Sequence, residues 1–116
     1  MPEHTECLFC QIADGRIPAD IVHRGDRVVA FRDIRPAAPT HVLVTSLAHH
    51  PDVTALAADD PGALAELVAV ADRVARDEGH AGAYRLVFNT GAAAGQHVFH
   101  VHGHVLAGRR LAWPPG

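Results

Sequence analysis

The chain has 116 residues, 48% of them apolar and 20% charged, and a formal net charge of −3. That reads as one ordinary globular domain over 1–116, long enough to bury a core of its own. The basic residues are scattered, no apolar run has the length of a membrane span, and MPEHTECLFC lacks the pattern of a secretion signal, so neither a nucleic-acid groove nor a membrane partner is expected and a cytoplasmic location is.

Residues 7–14, CLFCQIAD, form a short helix ended by Gly15. Two strands follow at 21–23 and 27–31, joined by a turn at Arg24-Gly25-Asp26. Pro36 and Pro39 fix 33–40 as a loop, and HVLVTS, 41–46, is apolar and β-branched enough for a buried strand. A long helix is expected over 60–79. Asp60 caps it, Pro61 suits its first position and Gly79 its stop. Leu64, Leu67, Val68, Ala71, Val74 and Ala75 make its core stripe. YRLVFNT, 84–90, is a strand, GAAAG, 91–95, a loop, and the alternating QHVFHVHGHVLAG, 96–108, the last strand. The order predicts an α+β fold, an antiparallel sheet of about five strands with one long and one short helix.

The last strand carries the chemistry. His100, His102 and His104 alternate with other residues, and on a strand they share one face. Neighbours on that face lie about 6.6 Å apart and the outer pair about 13 Å apart. One undistorted strand therefore cannot aim all three at a single ion. Val101 and Val105 put the opposite face in the core. Near the N-terminus, Cys7 and Cys10 are spaced C-x-x-C, which reads as a metal or redox pair better than as a structural disulfide.

HVFHVHGHV resembles the alternating motif of the histidine triad (HIT) superfamily. CLFCQIADGRIPADIVHRGDRVVAFRDIRPAAPTHVLV, LVFNTG, GQHVFHVHGHVLAG and the closing WPPG resemble its Hint branch, in the same order and over nearly the whole chain. The resemblance implies a nucleotide-binding hydrolase of nucleoside phosphoramidates or acyl-nucleotides, working through a nucleotidyl-histidine intermediate. Dinucleoside polyphosphate hydrolysis, nucleotidyl transfer and a nucleotide-binding module with little turnover are the alternatives.

On that resemblance His102 is the nucleophile. His104 and His41 flank the phosphate, and Asn89 serves the leaving-group side, although alone it reads equally as a turn former. Asp33 accepts from the ribose hydroxyls. Phe9, Ile12, Leu43 and Ile34 form an apolar slot for the base of a purine nucleotide, such as an AMP or GMP conjugate. Gly95, Gln96 and His97 approach the phosphate. His97 stands where the family commonly has serine, which bears on the leaving group. Gly103 and Ala107 are smaller than usual there, which implies looser packing. The family's bacterial members imply a structural zinc on Cys7, Cys10, His49 and His100, with His50 as the alternative to its neighbour and no cofactor for catalysis. A homodimer with Trp113 near the partner's site completes the expectation.

Overall fold

The computed structural model describes residues 7–116; residues 1–6 of the expected domain lie outside the described residues. The elements are α1 (Leu8–Ala13), β1 (Ile21–Arg24), β2 (Val28–Arg32), β3 (Thr40–Ser46), α2 (Val53–Asp59), α3 (Pro61–Asp77), β4 (Tyr84–Val87) and β5 (His102–Ala107). All five strands join one sheet in the order β1-β2-β3-β5-β4, and every pairing is antiparallel. This is the expected α+β architecture.

Side-chain alternation gives the sheet two different faces. Val28, Ala30, Val42, Val44 and Val105 point to one side, where they pack with Leu56 of α2 and with Ala63, Leu67, Val70, Ala71, Val74 and Ala75 of α3. A fully buried leucine such as Leu67 contributes about 1.5–3 kcal/mol to that core. On the other side Phe31 and Leu43 meet Phe9 and Ile12 of α1. The register sets Leu43 opposite His104 and Thr45 opposite His102, so both imidazoles share this second, thinly covered face. Among the described residues, no helix is long and apolar enough to cross a membrane.

Four expectations need correction. Helix α2 precedes the long helix, so there are two short helices and one long one. Its cap is Asp52, whose side chain accepts from the Ala55 N–H, and only Leu56 is buried, too little to set up a visible period. The stripe of α3 is turned by part of a residue: Val68 is 44% exposed, while Ala63 and Val70 are buried. The strand expected over 84–90 stops at Val87, where Val87 pairs with His104, and a 3-10 turn at Ala92–Ala94 follows. The strand expected over 96–108 begins only at His102. Before it the chain leaves the sheet, and the Val101 N–H donates instead to the His50 carbonyl at 2.7 Å.

Gly103 is also not a point of loose packing. A Cβ there would lie 2.8 Å from Leu86 Cδ1 and 3.2 Å from the Phe88 ring. The absent side chain is what lets β4 close over β5 on the core side.

Candidate active site

A cavity of about 610 Å³ opens on the second face of the sheet. Phe9, Ile12, Phe31 and Leu43 supply apolar walls, and Asp33, Asn89, Gly95, His97, His102 and His104 supply polar ones. Ile34 stands at the same opening, 92% exposed. Arg32 holds the turn that carries Asp33 and Ile34: its Nη1 and Nη2 each donate to the Glu78 carboxylate at 2.9 Å, tying the end of β2 to the end of α3.

The histidine protons are set by groups that can only donate or only accept. His102 Nδ1 lies 2.7 Å from the His100 carbonyl oxygen. A carbonyl only accepts, so Nδ1 carries the proton and Nε2 carries the lone pair. The Ala37 N–H donates to His41 Nδ1 at 2.9 Å. His41 must then bear its proton on Nε2, which lies 2.9 Å from His104 Nδ1 and 3.4 Å from Asp33 Oδ2. His104 Nδ1 accepts that proton's hydrogen bond, which leaves the His104 proton on Nε2. The one His41 Nε2–H thus faces two acceptors, His104 Nδ1 close by and the Asp33 carboxylate farther off. With His41 Nε2 protonated, that trio is a poor metal site although its ligand atoms lie within 4.8 Å of one another.

Burial keeps these rings neutral. It pushes His102 below its ordinary value against the opposing hydrogen bond to the His100 carbonyl and the charge of Asp33. Burial, with His102 and His41 alongside, pushes His104 down to about 4. His41 is lowered by burial and partly restored by Asp33. The Phe9 ring meets His102 edge-on, with centroids 4.8 Å apart, and limits its rotation.

His100 does something else. It is fully buried, and its Nε2–H donates to the Ser46 carbonyl at 2.7 Å. Its Nδ1 lone pair then faces Cys7 Sγ at 3.4 Å and Cys10 Sγ at 3.3 Å. His49 Nδ1 lies 3.4 Å from Cys10 Sγ. These four donors lie within 4.8 Å of one another and are compatible with holding a metal ion. Holding the far ring nitrogen on a backbone carbonyl is the usual arrangement of a ligating histidine. Burial, then the hydrogen bond and charge of Cys7, pushes the Cys10 thiol up to about 12, so it keeps its proton at neutral pH unless a cation displaces it. His50, the alternative to His49, turns away and donates from Nε2 to Asp59 at 2.8 Å.

Gln96 is the expected site residue whose groups are already engaged. Its side chain donates to the Pro51 and Val98 carbonyls and accepts from the Gly91 N–H, and its own N–H donates to the Gly91 carbonyl. It braces the loop that presents Gly95 and His97. Residue types could not reveal the Ala37 N–H or the carbonyls of Ser46 and His100, because any residue supplies such groups. Their roles follow from the path of the backbone alone.

An imidazole lone pair fixed toward an open cavity, beside two more neutral imidazoles and a carboxylate, defines a histidine-based enzyme site. The HIT domain model matches residues 14–111. The chain is 44% identical to the purine nucleoside phosphoramidase of Escherichia coli strain K12 over 107 residues, covering 91% of this chain and 90% of that one. It is 43% identical to an uncharacterised HIT-like protein of Synechococcus elongatus over the full length of both. The crystal structure of a HIT family hydrolase from Legionella pneumophila Philadelphia 1 superposes with a TM-score of 0.91 at 46% identity, covering 96% of this chain and all of that one. The chain belongs to the HIT family and, with its histidine triad intact, is a hydrolase of that family.

Proposed function

We propose that the protein hydrolyses nucleoside 5′-phosphoramidates or acyl-nucleotides, with His102 as the nucleophile. The observation that carries this reading is the 2.7 Å contact of His102 Nδ1 with a backbone carbonyl, which leaves Nε2 unprotonated and facing the cavity. In the first step Nε2 bonds to the α-phosphorus while the bond to the leaving nitrogen or oxygen breaks, and the leaving group takes a proton from solvent. In the second, water bonds to phosphorus and releases a proton to solvent, the bond to His102 breaks, and the nucleoside monophosphate departs. Splitting one displacement into two lowers each barrier.

The N–H of His104 Nε2, held in line by His41, donates to the equatorial phosphate oxygens as charge builds on them. Asn89 serves the leaving-group side, and Gly95 allows the backbone to come close to the phosphate. Asp33 accepts from the ribose hydroxyls through Oδ2, since its Oδ1 is already held by the Arg35 N–H at 2.7 Å. Phe9, Ile12 and Leu43 line the slot for a purine base, and Ile34 folds over its mouth. His97 lines the nucleotide cavity, and Gln96 acts by bracing the loop. The similarity to the purine nucleoside phosphoramidase supports this substrate class.

The second cluster holds a structural zinc on Cys7, Cys10, His49 and His100. Tetrahedral zinc sets sulfur and nitrogen ligands about 3.6 Å apart. The contacts here, 3.3–3.4 Å, need only a slight expansion to admit it. All four ligand positions are then filled by protein, so the ion crosslinks and takes no part in the chemical steps. The protein acts as a homodimer that covers Trp113, which is 82% exposed in the single chain.

Steady-state kinetics on adenosine and guanosine phosphoramidates, beside dinucleoside polyphosphates, tests the reading. Wild type should turn over the phosphoramidates best. His102→Ala should lose at least about 10³-fold in kcat while binding nucleoside monophosphate nearly as well as wild type. Near wild-type turnover by that variant would refute the mechanism.

A further inference from the structure

A second cavity, of about 440 Å³, lies beside the first on the same face of the sheet. Its floor is β4 and β5, and its far wall is the tail after Gly108. His104 and Asn89 line both cavities, whereas His102 lines only the first. A phosphorus atom attacked by His102 and held against His104 therefore sits at the boundary. In-line displacement sends the leaving group away from the nucleophile, hence toward the second cavity.

That cavity has no acidic side chain in its lining, which ends at the main chain of Gly116, and carries two guanidinium groups, Arg85 and Arg109. Arg85 Nη2 donates to the carbonyls of Leu111 and Ala112 at 3.3 and 2.9 Å. Arg109 Nε donates to the Ala37 carbonyl at 2.9 Å, and its Nη1 to the Arg110 carbonyl at 2.9 Å. These bonds hold both side chains in place without neutralising them, and neither has a carboxylate partner among the described residues. Of the ten arginines, Arg16, Arg27, Arg32, Arg73 and Arg76 pair with Asp or Glu, while Arg85 and Arg109, like Arg24, Arg35 and Arg110, have no ion pair among the described residues. Two anchored, uncompensated guanidiniums facing one cavity make a receptor for an anion.

We propose that this cavity is a leaving-group subsite that selects leaving groups bearing a carboxylate or a phosphate, read by Arg85 and Arg109. The inference rests on the phosphoramidase reading above and narrows its substrate class. The tail supplies the subsite's outer wall, so recognition of the leaving group and placement of the tail share the same arginines.

The test compares adenosine 5′-phosphoramidates of alanine, of alanine methyl ester and of aminoethyl phosphate. Wild type should favour the alanine compound over its ester by about tenfold in kcat/KM, the scale of one charge-assisted hydrogen bond to a partly exposed anion. The aminoethyl phosphate compound shows whether phosphate is read as well as carboxylate. In the Arg85→Gln, Arg109→Gln double variant the ratio of acid to ester should fall toward one. The same ratio is also read as Kd with His102→Ala, which needs no turnover. Equal handling of acid and ester in both assays, or a preference that survives loss of both arginines, overturns the subsite. A Kd preference without wild-type turnover of any of the three keeps the subsite and overturns the phosphoramidase reading. No binding of any of them overturns both.

Discussion

His102 and His100 are two residues apart, yet the backbone gives them opposite proton placements. His102 donates from Nδ1 to the His100 carbonyl, and His100 donates from Nε2 to the Ser46 carbonyl. One ring is thereby left with Nε2 free toward the cavity, the other with Nδ1 free toward the thiols. The sequence places the imidazoles but not their protons, since the deciding partners are carbonyls that every residue has. Burial lowers His41, His102 and His104 alike, so the resting site is neutral and His102 keeps its lone pair below the usual histidine range. kcat/KM should stay level as pH falls to 6.5 and decline only below it. An acid limb centred at or above 6.5 would contradict this. Folding stability follows the same protons. In the window from 6.5 down to about 4 the unfolded chain binds protons that the folded His104 refuses, so stability is full above 6.5 and is lost as pH falls through that window. Urea midpoints measured from pH 7 to 4 should fall accordingly.

At the scale of elements, Cys7 caps and Cys10 lies in the first turn of α1, a helix of six residues that is too short to be stable alone. Phe9 and Ile12 seat it on β2 and β3. His49 and His100 reach it from the segments that follow β3 and precede β5. An ion held by all four would fasten α1 over the cavity, with Phe9 against His102. Elemental analysis should find one zinc per chain in protein purified without added metal. Chelation or Cys7→Ser should lower the melting temperature by about 5 °C or more and reduce turnover through the loosened Phe9 wall. Zinc that persists after both cysteines are replaced would reject the ligand set. The same elements show what a sequence discloses. Helix α3 was legible from Asp60, Pro61 and its stripe, and the strands from their β-branched runs. Helix α2, with one buried residue, gave no period to read. The early end of the histidine strand was hidden because HVFHVHGHV alternates throughout. The break at Val101 comes from a long-range bond to the His50 carbonyl, not from a turn residue. Alternation rightly puts His100 on the side of the sheet that α1 covers, and there it meets the thiols and not the cavity.

For the whole molecule, one face of the sheet is spent on the core and the other is shared by α1, two cavities and the tail. The tail supplies the second cavity's wall through Leu111, Ala112 and Pro114, while Trp113 points outward. An indole this exposed, with β4 at a free edge of the sheet, fits a two-fold dimer. Sedimentation at micromolar concentration should give a dimer, and Trp113→Ala should weaken it; a monomeric wild type would contradict the assembly. The central claim concerns His102. Wild type mixed with an adenosine phosphoramidate, quenched within a turnover and digested, should yield by mass spectrometry an adenylate on the peptide that holds His102, and His102→Ala should yield none. Rapid turnover with no adduct at any quench time, or an adenylate on another residue, would contradict it.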